Sequence, residues 1–596
     1  MSQYIDLIRT VLVKVRDIPM NHATFYACFT LALRILLPLL ALLLLIRMIY
    51  GLVKASPKPE LWGYLSLPNG ACEPLTHWEN IIGRSDTCDI LLNYPVVSRQ
   101  HAAILHSEED RWMVHDLGSK SGTFVNGTAV ESGGSSATYG DVIRLGGVDT
   151  VLLPVPDHEV ENQKQQSVKP VSPWLSLLLL SLFQGFTALQ FFMSVEKEYI
   201  ILVPGAFVCL SLVMWVYSLS LRMAGRTGFE VETVAFFLST LSLAITASSA
   251  PSAVFKQWCS IVLGIFAFLI LGLFLRNIRR VQKIRWLMAA GAIGLLSLSL
   301  VAGTVKYGAA NWVSIAGFSI QPSELAKICY IFAGSATLER LFHRRNLGLF
   351  MVLTGLCLGC LALMSDFGTA AIFFATFLVI AYLRSGDYTT LALVCGGCVF
   401  AGLVLVSVKP YILRRFAAWG HVWEQASDGG YQQTRTMSAA ASGGLIGVGP
   451  GEGWLHNLGA ADTDLVFGML CEEWGLLIAL LAVACIVALA IFAVRCCHAS
   501  RSSFYAISAC AATSLLVVQT MLNVLGSVDI LPLTGVTFPF VSNGGSSMLA
   551  SWGLMAFVKA ADTRTNASFA NITQKSHETT WLGNLMTQEA EEHEKN

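Results

Sequence analysis

The chain has 596 residues, of which 54% are hydrophobic and only 13% charged, with 39 basic against 39 acidic side chains. A mean hydropathy of +0.60 and a charge content far below the quarter typical of soluble domains predict a polytopic membrane protein. The zero net charge argues against a nucleic-acid partner, which would want a basic surface.

In chain order, residues 1–25 place Arg9, Lys14 and Arg16 on an apolar-polar pattern that suits a short interfacial helix. The apolar run 26–53 is too long for a signal-peptide core and lacks a small-residue cleavage site, so 1–57 reads as a segment with an uncleaved anchor. The character then changes. Short β-branched runs at 89–92, 101–105 and 112–115 alternate with Gly, Ser, Asn and Asp turns, which predicts an all-β sandwich over 58–158. A polar linker, 159–173, follows.

From Trp174 onward, apolar segments of spanning length recur about twelve times: two in 174–230, the others in 231–560, ahead of an acidic tail, 561–596. The 15 cysteines are mostly dispersed through apolar runs. The close pairs Cys357/Cys360 and Cys395/Cys398 have no histidine nearby and read as packing residues rather than a disulfide framework or zinc site. Arg222 and Arg226, the cluster 276–285, Arg344 and Arg345, Arg384, and Arg495 with Arg501 all fall in alternate loops. The positive-inside rule puts those loops, the β domain and the tail in the cytoplasm. The loop 409–462 and the turns 306–324 and 527–546 then share the outer face, and the N-terminus lies outside if the anchor spans.

Three turns of the β domain carry phosphate donors: Ile82-Gly83-Arg84-Ser85, Val97-Ser98-Arg99-Gln100-His101-Ala102, and the stretch 116–127 with Gly118-Ser119-Lys120-Ser121-Gly122-Thr123. Together they resemble a forkhead-associated (FHA) domain over about residues 60–155. The resemblance implies that Arg84 and Ser98 bind the phosphate of a phosphothreonine protein, with Arg99, Lys120 and Ser121 lining the peptide groove. His101 reads as a residue that pins the loop. Ser121 stands where that family usually shows Asn, so it offers no amide to a bound peptide.

The loop 409–462 gathers Arg414, Arg415, His421, Glu424, Asp428, Arg435, Glu452 and His456 among glycines. Such a segment lies outside the hydrocarbon or lines a cavity in it. Gln321-Pro322-Ser323-Glu324 opens a span, with Pro322 in the first turn and Glu324 where the helix dipole favours an anion. Lys327, one turn on along the same face, needs a partner or an anionic ligand. Asp366 precedes the span at 368. The string 532–547, Pro-Leu-Thr-Gly-Val-Thr-Phe-Pro-Phe-Val-Ser-Asn-Gly-Gly-Ser-Ser, fixes an irregular backbone beside the last span.

With Asp366-Phe367-Gly368-Thr369, Gly430-Tyr431-Gln432, Ser442-Gly443-Gly444 and Glu472-Glu473-Trp474-Gly475, these strings closely resemble the SEDS family of FtsW, RodA and SpoVE over roughly 231–560. The expected fold class is thus a polytopic α-helical membrane protein, a SEDS-like bundle, plus a cytoplasmic all-β FHA sandwich. The resemblance implies a peptidoglycan glycosyltransferase of the plasma membrane that polymerises lipid II beside a class B penicillin-binding protein. A lipid II flippase and a catalytically weak scaffold recruiting a transpeptidase are the alternatives.

Glycosyl transfer from a polyprenyl diphosphate needs a base for the attacking hydroxyl and positive charge for the departing diphosphate. Gln321, Glu324, Lys327, Asp366, Tyr431, Arg435 and Ser546 are the candidate substrate-binding residues, and membrane lipid is a further partner. No metal-ligand set is read; a divalent cation at the diphosphate is the one cofactor left open. The family's catalytic Asp, six residues before the Tyr of Gly-Tyr-Gln, falls on Gln425, which cannot take a proton at neutral pH. Glu424 and Asp428 are therefore the candidate catalytic residues. Two further departures are Arg435-Thr436 for the usual Gln-Ser, and Gly459-Ala460-Ala461-Asp462-Thr463-Asp464 for Pro-Glu-x-His-Thr-Asp.

Overall fold

The structure is a computed structural model, and it describes residues 2–568 apart from 21–22, 55–58, 87, 107–110, 132, 167–169, 307–308, 316–317, 337–343, 386–387, 409–417, 498 and 565. Helices α1 (Ser2–Met20) and α2 (Ala23–Lys54) open the chain. The leucine-rich α2 keeps Leu33, Leu37, Leu44 and Met48 buried while Ile35, Leu39, Leu43 and Ile46 on its other face stay exposed, as suits a helix with one side in lipid.

Eleven strands follow: β1 (Gly63–Ser66), β2 (Cys72–Leu75), β3 (Glu79–Gly83), β4 (Ile90–Leu91), β5 (Ala102–His106), β6 (Trp112–Asp116), β7 (Thr123–Val125), β8 (Thr128–Ala129), β9 (Ser135–Ala137), β10 (Val142–Leu145) and β11 (Val148–Leu153). They form a sheet of order β2-β1-β11-β10-β7-β8 and a second of order β4-β3-β5-β6-β9. Alternation decides what each strand buries: Val148, Thr150 and Leu152 of β11 are buried while Asp149 between them is exposed. With Ile82, Ile104, Trp112, Val114 and Ile143 they fill the space between the sheets. The expected linker starts as a helix, α3 (Asp157–Gln166), with Asp157 and Glu159 in its first turn. Tyr64 of β1 donates to Glu159 at 2.6 Å and holds it to the sandwich.

The membrane part comprises α4 (Trp174–Ser194), α5 (Leu202–Met223), α6 (Glu230–Ser249), α7 (Val254–Leu275), α8 (Ile278–Ala302), the strands β12 (Thr304–Lys306), β13 (Ala309–Ile315) and β14 (Phe318–Ile320), then α9 (Pro322–Ser335), α10 (Arg344–Leu363), α11 (Phe367–Ser385), α12 (Tyr388–Val408), α13 (Tyr431–Gly443), α14 (Gly475–Cys497), α15 (Ser503–Ser527) and α16 (Gly545–Ala560). Each predicted span has its helix. Among the described residues nine helices are long and apolar enough to cross a membrane. α9 and α16 run for 14 and 16 residues, α9 starting just after β14 and α16 after the irregular string that precedes Gly545.

Three places differ from the expectation. The turn 306–324 contains the antiparallel sheet β12-β13-β14. The loop 409–462 contains a helix, α13, packed against the bundle. The span that follows this loop, expected like the others as one continuous helix, is interrupted: a short helix Val466–Met469 passes into a π-turn, Leu470–Trp474, before α14 begins. Gly475 at φ +85° makes that join, a conformation that costs a side-chain-bearing residue about 1 kcal/mol or more.

α6 is the most enclosed helix, with 94% of its spanning window buried, because α2, α4, α5, α7 and α16 all pack on it. At one end of the bundle, buried ion pairs close the structure. Lys559 lies 3.0 Å from Glu232, which also accepts from Tyr217 at 3.1 Å. Arg564 pairs with Asp562 at 2.7 Å and Glu230 at 3.1 Å and donates to the Gly51 carbonyl at 3.3 Å. Arg495 donates to the Val53 carbonyl of α2 at 2.9 Å. The opposite end of α2 touches the 409–462 region, where Tyr26 donates to Glu452 at 2.6 Å. α2 thus runs the height of the bundle, and the sandwich that follows it lies at the arginine-loop end.

Candidate functional site

α13 is a polar helix, and its hydroxyls explain how it is buried. Thr434 donates to the Gly430 carbonyl at 2.9 Å and Thr436 to the Gln432 carbonyl at 2.7 Å, so the buried face brings in no unsatisfied donors. The exposed face carries Tyr431 and Arg435 one turn apart, with the guanidinium 5.5 Å from the ring centroid. Behind α13 the contact is backbone on backbone. A Cβ on Gly443 would collide with the Cys471 carbonyl, and one on Gly447, at φ +77°, with the Glu473 carbonyl.

Two buried carboxylates in the π-turn hold the next part of the loop. Glu472 accepts from the amides of Trp454 and Leu455 at 2.9 and 3.0 Å. Glu473 accepts from the Gly451 amide at 2.9 Å and the Ser248 hydroxyl at 2.6 Å. Asp462 closes the loop: its carboxylate accepts from Asn543 Nδ2 at 2.7 Å and Ser249 Oγ at 3.2 Å, and its carbonyl accepts from the Asn543 amide at 2.8 Å. The irregular strings 459–464 and 532–547 are in this way joined to each other.

Glu424, Gln425 and Asp428 lie on the turns just before α13. The Glu424 and Gln425 amides both donate to the His421 carbonyl, the Asp428 amide to that of Gln425, and the Tyr431 amide to that of Asp428 at 3.2 Å. Gly430 abuts the Val422 backbone, where a side chain would not fit. The backbone is thus fixed while the carboxylates project outward: Glu424 is 78% exposed, 3.6 Å from His421 Nδ1, and Asp428 is exposed too. Trp419 Nε1 donates to the Ile530 carbonyl at 3.1 Å, tying these turns to the end of α15. Arg414 and Arg415 of the same loop lie outside the described residues.

The other candidates form a network among α9, α15 and α16. The Gln321 amide donates to Ser546 Oγ at 3.2 Å. Lys327 donates to Glu324 at 2.7 Å and to Gln519 Oε1 at 3.0 Å, so this buried cation has its partners within the protein. Gln519 Nε2 in turn donates to the carbonyl and hydroxyl of Thr537 at 3.0 and 2.9 Å, and Asn523 Nδ2 to the carbonyls of Asp464 and Val536 at 2.9 and 2.8 Å. Asp366 accepts from Asn311 Nδ2 of β13 at 2.8 Å and from the Thr369 amide at 3.1 Å, which joins the outer sheet to the start of α11.

In the sandwich, Arg84, Ser98, Arg99, Lys120 and Ser121 come together at one end. Arg84 and Ser85 donate from their amides to the Ser98 and Arg99 carbonyls, both at 3.0 Å. Ser98 Oγ accepts from the Lys120 amide at 3.0 Å, and Ser121 Oγ donates to the Val96 carbonyl at 3.0 Å. Arg84, Arg99, Lys120 and Ser121 are not buried. His101 is fully buried, its Nδ1 accepting from the Ser98 amide at 3.0 Å and its Nε2 3.1 Å from the Gly122 carbonyl. Beneath the loop, Asp116 accepts from the hydroxyls of Ser119 and Thr123, both at 2.6 Å, and from the Gly118 and Ser119 amides.

The family model described as "Cell cycle protein", for FtsW, RodA and SpoVE, matches residues 228–567, more than half of the chain. The chain belongs to the FtsW/RodA/SpoVE family. The FHA domain model matches residues 80–146. A relative in Mycobacterium tuberculosis strain H37Rv, named peptidoglycan glycosyltransferase RodA, is 29% identical over 327 residues, covering 51% of this chain and 69% of its own. A probable peptidoglycan glycosyltransferase FtsW of Bacillus subtilis is 29% identical over 383 residues, covering 58% and 92%. The solved structure of the Thermus thermophilus rod shape determining protein RodA is 22% identical, with a TM-score of 0.43 over 56% of this chain and 97% of that one.

Within the FtsW/RodA/SpoVE region, the sequence reading named no role for Asp462, Glu472, Glu473, Gln519, Asn523 or Asn543. Glu472 and Glu473 were visible as two adjacent acids in an apolar run, which is itself a signal for buried partners. Gln519 and Asn523, four residues apart on one face of an apolar helix, are a weaker sign of the same kind.

Proposed function

We propose that the chain is a peptidoglycan glycosyltransferase that polymerises lipid II, working beside a class B penicillin-binding protein, with its FHA domain reading a phosphothreonine protein on the cytoplasmic side. The observation that carries this reading is the fixed outer platform of the family region. Its backbone is held by Glu472, Glu473 and Asp462, while Glu424, Asp428, Tyr431 and Arg435 project from it. Membership of a family whose relatives bear glycosyltransferase names supports it.

In this reading Glu424 takes the proton from the acceptor sugar hydroxyl. That oxygen attacks the anomeric carbon of the donor, the bond to the diphosphate oxygen breaks, and the diphosphate departs with its charge met by Arg435. Glu424 replaces the missing Asp at Gln425 by a shift of one residue. Gln321, Asp366, Tyr431 and Ser546 contact the substrate, while the buried Glu324 and Lys327 act by holding α9 in place. Among the described residues no group of three or more His, Cys, Asp or Glu side chains could hold a metal ion; a divalent cation at the diphosphate would be held mainly by the substrate's own oxygens. The sandwich and the loop with Arg495 and Arg501 lie at one end of the bundle, and the excess of Lys and Arg in the loops of that end supports a cytoplasmic side for it.

The test is reconstitution of the purified chain with labelled lipid II, alone and with its cognate class B penicillin-binding protein. A ladder of glycan polymer is the expected product. Transbilayer movement of lipid II without polymer, or no turnover with either preparation, overturns the reading.

A further inference from the structure

The FHA sandwich has two ends, and β3 runs between them. Its last residue, Gly83, leads into Arg84 and the phosphate loops. Its first residue, Glu79, is at the other end, about 13 Å away at strand rise, and that end meets the turn between α14 and α15.

The contact is polar, specific and distributed. Arg501 donates to Glu60 at 2.7 Å and lies 5.5 Å from the Trp62 ring. His77 Nδ1 is 2.9 Å from the Ser500 carbonyl, and the Trp78 amide donates to the Arg501 carbonyl at 2.7 Å. Glu79 accepts from the Ser502 hydroxyl at 3.0 Å, from the Ser503 amide at 3.0 Å and from the Ser503 hydroxyl. Ser502 is the N-cap of α15, its own oxygen accepting from the Phe504 amide at 3.3 Å. A carboxylate from the sandwich thus completes the cap of a membrane helix, where the dipole favours an anion. Arg384, at the end of α11, lies within Coulombic range of the same carboxylate. The helix so capped carries, further along, Gln519 and Asn523, which hold Lys327 and the string 532–547.

We propose that this end of the sandwich is a docking face for the α14–α15 turn, so that the FHA domain rides on the bundle as a fixed platform with its phosphate loops at the free end. Glu79 makes the position of the sandwich a control on the first turn of α15. A phosphoprotein held by the loops is then presented at a defined place beside the membrane domain.

Hydrogen exchange of the full chain in lipid nanodiscs tests this. In the wild type the amides of Trp78 and Ser503 are protected. Glu60→Ala removes a partner of Arg501 without touching the cap of α15, and should nevertheless speed exchange at both amides; with Glu79→Ala added, the acceleration should be at least about fivefold. Protection of Ile104 in β5 reports that the sandwich stays folded. Arg501→Ala, which leaves the sandwich sequence intact, should release Trp78 in the same way and decides the matter if the double variant unfolds. Free exchange at Trp78 and Ser503 in the wild type, or wild-type protection in both the double variant and Arg501→Ala, overturns the proposal.

Discussion

Lys327 Nζ lies 2.7 Å from Glu324 Oε1, with the two side chains 1% and 5% exposed. Removing one partner strands the other as a buried charge, a change that costs about 3–5 kcal/mol, whereas replacing both with neutral side chains of similar shape costs far less. Lys327→Ala should therefore lower the thermal unfolding midpoint in nanodiscs markedly, and Glu324→Gln/Lys327→Met should restore most of it. Equal midpoints for the single and double variants would show that the pair is not held as ions.

Glu424 and Asp428 are separated by kinetics. A general base contributes typically 10²–10⁴-fold, so Glu424→Gln should cut lipid II polymerisation by that order with the chain still folded and still bound to its partner. Asp428→Asn should cost much less, since its place in Asp428-Gly429-Gly430 suits a turn residue. The reverse ranking would move the base to Asp428. No effect from either would place it elsewhere.

Arg84 is exposed beside Ser98, and each can form a charge-assisted bond to a phosphate, roughly 1.5–3 kcal/mol apiece. Arg84→Ala should weaken binding of a phosphothreonine peptide at least about tenfold, read by calorimetry on the full chain. Equal affinity of the wild type for plain and phosphorylated peptide rules the reader role out.

Asp116 gives the sandwich a signed pH dependence. Burial pushes its carboxyl up, but the bonds from Ser119, Thr123 and the Ser119 and Gly118 amides outweigh it and leave the group below its ordinary value of 3.8. The unfolded chain therefore binds the proton first as pH falls. The stabilisation is complete above the ordinary value and is lost as pH drops through the lower folded one. Denaturant unfolding followed by methyl NMR of Ile104 should show this loss in the wild type and a flatter acid limb in Asp116→Asn. The opposite slope would contradict the assignment.

Gly443→Ala should be severe for its size. Its Cβ would enter the Cys471 backbone, which cannot swing aside as a flexible side chain would, so α13 must separate from the π-turn. Protease sensitivity of the loop 418–462 should rise, while Gly459→Ala, with open space at its Cβ, should leave it unchanged.

The helices were legible because a run of about twenty apolar residues has few other uses, and the sandwich because its turns carry distinctive strings on a period-two background. α13 was not, for a physical reason. Its buried face is made of Gln433, Thr434, Thr436 and Ala439, which lack apolar periodicity, and its stability comes from hydroxyls bonded back to the helix and from glycine contacts that composition does not reveal. The strings around Glu472 and Asp462 marked the region, but their partners are backbone amides and Asn543, seventeen or more positions away, which no local pattern encodes. The carboxylates of Glu424 and Asp428 were found by counting from Tyr431, and the structure adds that their turns are held rigidly while the side chains point outward.

The enclosure of α6 bears on how this protein can be handled. The family region begins at residue 228, yet its first helix is walled in by α2, α4 and α5, and Arg564 near its far boundary is bonded to Gly51. A fragment cut to the family boundaries would uncover Phe237, which packs edge-on against Phe183 of α4, and Phe236, which packs on Tyr217 of α5, and would take from Glu232 the hydrogen bond of Tyr217. A minimal form that keeps α6 enclosed therefore has to include α2, α4 and α5.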